Sequence, residues 1–322
     1  MLTTNFGRTF SDIGPRTDQL TEPDSIFFLD RQHGWFATFS ILNLAENVYR
    51  TSNGGRTWQA FAAPGHNQAA GSADYLQFLT PADGWLVDVV ANAPAEELFR
   101  TTDGGSTWRL VATLNGQRPH GVGTLPALGM IRFEPGGMTG WLSNNLFGSP
   151  LYRTTDGGRS WRQVHLRAPS GAAFGPPAVF GRTLAEPVTV GAGGTASLRI
   201  YISRDDGETW SLASTLQNAA SRSCSGPLPT SFPGQAVAWA AAFRDSHVVV
   251  YRTTSQGKSW TPLATPAPAS RQFCGPDQIE AVGAGRAWLT TPGPYGSNAP
   301  RIYATTTAGH TWQRITLIRP AT

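Results

Sequence analysis

Lysine is almost missing from this chain of 322 residues: Lys258 is the only one, and the other bases are arginine. Charged residues make up 14 % of the sequence, the net charge is +4, and no run of five like charges occurs. That scatter argues against a nucleic-acid surface or a polybasic membrane contact, both of which need clustered positive charge. No apolar stretch approaches the roughly 18 residues of a membrane helix. No basic-then-apolar leader precedes the first polar segment, so either the start is trimmed or the first repeat is incomplete. The two cysteines, Cys224 and Cys274, have no nearby histidines and make no zinc site. The six histidines lack metal-ligand spacing, no nucleophile elbow is present, and no glycine-rich loop leads from a strand into a helix. No cofactor and no metal are expected.

Turn formers and aromatics are abundant: 36 glycines, 24 prolines and 11 % aromatic residues. The eleven tryptophans fall into two repeated slots. The first closes an octapeptide: TSNGGRTW ending at Trp58, TTDGGSTW at Trp108, TTDGGRSW at Trp161, SRDDGETW at Trp210, TTSQGKSW at Trp260 and TTTAGHTW at Trp312. A worn copy, TTNFGRTF, ends at Phe10, and the copies recur every 48 to 53 residues. The second slot holds Trp35, Trp85, Trp141, Trp239 and Trp288, 20 to 24 residues before the octapeptide tryptophan of the same copy. A period near fifty with strand-like segments between copies predicts an all-β fold, a β-propeller of four-stranded blades forming one domain over residues 1–322. The worn copy predicts seven blades with an incomplete first one; six full blades with an N-terminal extension is the alternative.

The second copy shows the parts. An apolar strand over 75–80 is followed by a turn at 81–84, a strand over 85–90, a strand over 97–100, the octapeptide, and a last strand over 108–111. Before Trp210 the second-slot tryptophan is missing, and Val188 or Val190 stands in its region.

Mechanics account for the octapeptide. An Asp or Asn at its third position, as in Asp103, Asp156 and Asp205, can bond the backbone ahead of it, and the next glycine supplies a positive φ. The final aromatic (Trp58, Trp108, Trp161, Trp210, Trp260, Trp312) inserts between sheets as a staple. Several copies have no acid at the third position (Asn53, Ser255, Thr307), so a structural turn is a better reading than a calcium loop. An aromatic two residues before each copy (Tyr49, Phe99, Tyr152, Tyr201, Tyr251, Tyr303) predicts packing. Cys224 and Cys274 each lie 14 residues after their octapeptide tryptophan. They form either a bridge between neighbouring blades, which needs Cα atoms within about 7 Å, or a pair of thiols repeated with the module.

The octapeptide resembles the Asp-box, or BNR repeat, of sialidase-type propellers. Gly34-Trp35, Gly84-Trp85 and Gly140-Trp141, each followed by an octapeptide of the TTDGG type, are most similar to the propellers of the photosystem II stability and assembly factor group. The resemblance spans essentially the whole chain. It implies seven blades, no catalysis, and an extracytoplasmic or secreted binding scaffold. Asp-boxes also occur in hydrolases and sorting receptors, so the likeness speaks more for fold than for function.

Two functions follow. A monomeric scaffold would recognise a protein partner through loops gathered on one face: residues 110–128 with Arg118, 144–150 with Phe147, 167–177, and 291–300 with Tyr295. The arginine before the octapeptide (Arg50, Arg100, Arg153, Arg252) would form either a basic arc for carboxylate-bearing partners or a set of locally paired residues. The alternative is a glycoside hydrolase or glycan-binding lectin. A glycosidase needs two carboxyl groups roughly 5 to 9.5 Å apart, and Asp74, Asp88, Glu134 and Glu280 are the candidates. A sialidase motif is absent: the nearest strings, Arg199-Ile200-Tyr201, Arg301-Ile302-Tyr303 and Arg314-Ile315-Thr316, lack its proline.

Overall fold

The computed structural model describes residues 2–5, 9–17, 21–40, 46–64, 72–89, 96–113, 130–143, 150–180, 183–191, 196–220, 228–234, 236–244, 247–263, 278–291 and 301–316. They form two compact units. The first contains Asp12–Asn144 and Pro150–Gln163 and carries three antiparallel sheets. These are β1 to β4 (Thr21–Phe28, Gly34–Ser40, Glu46–Thr51, Gln59–Ala62), β5 to β8 (Ser72–Phe78, Gly84–Val89, Glu96–Thr101, Arg109–Thr113) and β9 to β12 (Met130–Phe133, Gly140–Ser143, Tyr152–Thr154, Arg162–Gln163).

The second unit contains Val164–Thr322 with Leu2–Ser11. Its first sheet has five strands, β13 to β17 (Ala173–Phe174, Ala178–Phe180, Thr183–Val190, Ala196–Ser203, Ser211–Ala220). Then come β18 to β21 (Thr230–Ser231, Ala238–Arg244, His247–Thr253, Thr261–Pro262) and β22 to β25 (Gln278–Val282, Arg286–Thr291, Arg301–Thr305, Gln313–Ile315).

The four-stranded sheets run in chain order, as a meander of short strands separated by turn residues should, and in the five-stranded one β13 and β14 both pair with β15. The fold is thus the all-β propeller of four-stranded blades that the period predicts. Six blades are present among the described residues, not seven. The worn octapeptide contributes only a bridge between Leu2 and Ser11 and no sheet. It nevertheless closes as an octapeptide turn, with Thr9 N donating to Asn5 Oδ1 at 2.9 Å and Asn5 Nδ2 to Thr9 Oγ1 at 2.7 Å.

Within each unit the core lies at the seams between successive blades. The second-slot Trp35, Trp85, Trp141 and Trp239 are wholly buried, whereas the octapeptide tryptophans are half-buried. Trp35 stacks on Phe78 of the next blade at 3.6 Å and 5°, and Trp85 stacks on Phe133 at 4.1 Å and 17°. A glycine precedes Trp35, Trp85 and Trp141 because a ring of the neighbouring strand lies over it: a Cβ at Gly140 would meet Phe133 at 2.7 Å. Of the aromatics two residues before the octapeptides, Phe99, Tyr201, Tyr251 and Tyr303 are core residues.

The fourth blade departs from the repeat, and its register corrects the sequence alignment. Gly34 and Gly84 pair with the first octapeptide residues Thr51 and Thr101, so the tryptophan follows that pair. In the fourth blade Leu184 pairs with Ser203, which puts Ala185 in the tryptophan slot and not Val188 or Val190. Phe180 from the extra strand β14 fills the space. It packs with Ala185 in one cluster and meets Phe232 edge-on at 5.2 Å. A Cβ at Gly257 would lie 3.9 Å from Phe180, just as one at Gly105 would lie 3.6 Å from Trp35. The segment 167–177, expected as a free loop, is partly built into this blade: β13 pairs with β15 at Ala173↔Thr189 and Phe174↔Val188.

Candidate functional site

The octapeptide turns around its first residue. In the second blade Thr101 Oγ1 donates to Asp103 Oδ1 at 2.8 Å and accepts from Gly105 N at 2.8 Å. Asp103 Oδ1 also accepts from Thr107 N at 2.9 Å, and its Oδ2 accepts from Thr107 Oγ1 at 2.7 Å. The fourth and fifth residues both take positive φ, including the non-glycines Asp206, Gln256 and Ala308 at 54° to 57°. Sequence reasoning credited the acid and overlooked the buried hydroxyl at the first position (Thr51, Thr101, Thr154, Ser203, Thr253, Thr305), although its invariable Thr or Ser was a legible signal. Bonds from the threonine and serine hydroxyls and backbone amides lower the pKa of Asp103, Asp156 and Asp205 to about 2. These acids hold turns, and among the described residues no three His, Cys, Asp or Glu side chains converge as a metal site.

The arginines before the octapeptides are not an open arc. Arg50 Nη1 donates to the carbonyl of Asp103 in the next blade's octapeptide at 2.9 Å, and Arg252 Nη1 to the carbonyls of Ala284 at 2.8 Å and Ala308 at 3.2 Å. Arg100 grips Asp83 with Nε and Nη2 at 2.8 and 3.0 Å and lies 4.8 Å above the Trp85 ring. Arg153 is buried beside Trp141. For Arg50 and Arg252 the acceptors are carbonyls of the next repeat, so these two arginines join repeat to repeat, whereas Arg100 pairs within its own blade.

The four candidate carboxylates are used differently. Asp74 sits where the β5 ladder slips between Ala73 and Tyr75, and its side chain is outside the described residues. Asp88 is wholly buried on β6. Glu134 Oε1 accepts from the Trp141 indole at 2.8 Å, and the exposed Glu280 accepts from Gln278 Nε2 at 3.0 Å. Arg118, Phe147, Tyr295, Cys224 and Cys274 also lie outside the described residues.

One acid escaped the sequence reading. Glu186 on β15 is wholly buried, faces Tyr201 across the strand pair, and neither of its carboxyl oxygens has a hydrogen-bonding side chain beside it among the described residues. Burial pushes its carboxyl well above the usual carboxylate range, against a smaller opposing effect of the Gly175 backbone amide.

The architecture is a β-propeller whose blades carry octapeptide turns of the Asp-box kind. The BNR/Asp-box repeat model matches residues 201–212, the fourth-blade octapeptide and its flanks. Among solved structures the fold is similar to YCF48 bound to D1 peptide, at 18 % identity and TM-score 0.54 over 92 % of this chain and 81 % of that one. YCF48 from Cyanidioschyzon merolae is similar at 15 % identity and TM-score 0.54, over 92 % and 88 %. The GH74 xyloglucanase from Xanthomonas campestris shares 19 % identity at TM-score 0.58, over 92 % of this chain but 47 % of its own, so the chain spans about half of that enzyme. No curated protein sequence matches.

Proposed function

We propose that the protein is a non-catalytic binding scaffold that recognises a protein partner, and that it acts as a monomer in an extracytoplasmic compartment. The observation that supports this most is the state of the candidate carboxylates. Asp88 is sealed from solvent, and Glu134 and Glu280 accept hydrogen bonds within their own blades, so none of the three is presented as a free member of an acid pair. The size likeness to YCF48, whose bound D1 peptide shows a propeller of this size holding a protein segment, points the same way. Among the described residues no helix is long and apolar enough to cross a membrane. With Arg50 and Arg252 bonded to the next blade, Arg100 paired with Asp83 and Arg153 buried, recognition falls to the loops carrying Arg118, Phe147 and Tyr295.

Two assays on one purified sample test this reading. A panel of chromogenic glycosides is expected to show no turnover, and turnover that disappears in Glu280→Gln or Asp88→Asn would make the protein a glycosidase. Partner capture from the native envelope fraction is expected to weaken in Phe147→Ser and Tyr295→Ser. Capture unchanged in both variants would remove these loops from the proposal.

A further inference from the structure

The seam between the first and second blades contains a cavity of about 290 Å³ lined by His33, Arg50, Ser52, Thr57, Trp58, Gln59 and Pro81. The second blade shows what belongs there. By register His33, which precedes Gly34, is the counterpart of Asp83, which precedes Gly84, and Arg50 is the counterpart of Arg100. Where Asp83 occupies both prongs of Arg100, Arg50 meets a histidine. Arg50 donates through Nη1 to the carbonyls of Asp103 and Gly104 and the hydroxyl of Ser106, and through Nη2 to Gln59 Oε1, while Nε makes no hydrogen bond among the described residues. His33 is held through Nδ1 by Asp30 at 2.9 Å, which leaves Nε2.

A second replacement in the same repeat acts in the same direction. The octapeptide acid is Asn53 here. Its Oδ1 accepts from Thr51 Oγ1 and Thr57 N, so its amide must donate to Thr57 Oγ1, at 2.8 Å. In the second, third and fourth blades the equivalent hydroxyl donates to the aspartate instead. The Thr57 hydroxyl proton is therefore released from the turn and has no acceptor among the described residues. Two acids of the neighbouring repeat are thus exchanged for an amide and a base around one cavity, which keeps a guanidinium, a hydroxyl donor and the half-buried Trp58 indole.

We infer that this cavity is a binding site for a carboxylate group, which would take the place that the Asp83 carboxylate holds against Arg100. The planar guanidinium suits a carboxylate through two parallel N–H donors. The site is independent of the loop-borne partner surface.

The test uses the whole chain labelled with 5-fluorotryptophan, with the Trp58 resonance assigned through Trp58→Phe. The probe is N-acetylglutamate N′-methylamide at constant ionic strength, against its glutamine counterpart. A saturable Trp58 shift with the glutamate compound and none with the glutamine compound is expected. Acetate is a second probe: binding of both supports a site for any carboxylate, and binding of the glutamate compound alone supports an acidic side chain of a peptide. His33→Asp supplies the missing acid internally and Arg50→Gln removes the guanidinium, so each should weaken binding ~10-fold or more, with the other fluorotryptophan signals in place as evidence of folding. No saturable shift, an equal shift with the glutamine compound, or undiminished binding in His33→Asp would overturn the assignment.

Discussion

Glu186 stands directly across from Tyr201 in the β15–β16 ladder, at the position that Phe36, Leu86, Leu142, Ala240 and Leu289 occupy opposite their own aromatics in the other blades. A carboxyl group thus replaces an apolar residue where the repeat calls for one. It lies beside the Gly175-Pro176-Pro177 break between β13 and β14, where neither proline has an N–H to offer. Arg199 lies one diagonal step away on the same face, with a buried Nε that has no partner among the described residues.

The buried acid predicts a stability that falls as pH rises. The folded pKa is raised above its ordinary 4.5, so above pH 4.5 the unfolded chain releases a proton that the folded chain keeps. Unfolding then gains up to about 1.4 kcal/mol per pH unit until the folded group ionises. Urea midpoints between pH 4.5 and 7 should fall in the wild type relative to Glu186→Gln, and Glu186→Leu should be the most stable of the three at pH 7. Parallel pH profiles for wild type and Glu186→Gln would show that the carboxyl is already ionised when folded.

The octapeptide acids give the opposite sign. Asp103, Asp156 and Asp205 have folded pKa values near 2 against 3.8 unfolded, so their contribution is complete above pH 3.8 and is lost as pH drops toward 2. They are exposed, and solvent screens the effect. With Glu186 acting from the other side, stability should be greatest at about pH 4. A maximum near neutrality in the urea midpoint would contradict that balance.

The turn itself should depend more on its buried hydroxyl than on the residue that names it. Asn53 makes the backbone bond of Asp103 without its charge, so Asp103→Asn should lower the thermal midpoint only slightly. Thr101→Val leaves the Gly105 amide, buried in the turn, without its acceptor, which costs about 1–3 kcal/mol. Equal losses in the two variants would refute the ranking.

How far such relationships were legible depends on whether they repeat. The period, the four-strand order and the buried Gly-Trp pairs are copied around the chain, and the structure holds them where the spacing predicts. Register is different. Val188 and Val190 looked like the missing tryptophan because they are apolar, but only the pairing of Leu184 with Ser203 shows that Ala185 is its counterpart. Glu186, in the string Leu-Ala-Glu-Pro-Val, reads as a solvent-side strand residue until its full burial is seen. Arg50 and Arg252 read as part of an arc because they have acceptors that are backbone carbonyls more than fifty residues away, and carbonyls leave no mark in a sequence.

The compensation in the fourth blade can be tested by undoing it. Phe180 occupies the room that a tryptophan at Ala185 would need, so Ala185→Trp alone overpacks the seam and should cost about 1–3 kcal/mol. Phe180→Ala alone opens a cavity and should cost about 3–5 kcal/mol. If the two side chains compete for one space, the double variant should be more stable than the sum of the single losses predicts, by an interaction of about 0.5–3 kcal/mol. The comparison needs only urea unfolding of four proteins. Additive losses would mean that a tryptophan at position 185 does not enter the space held by Phe180, and the tryptophan slot of this blade would then be closed by something other than its extra strand.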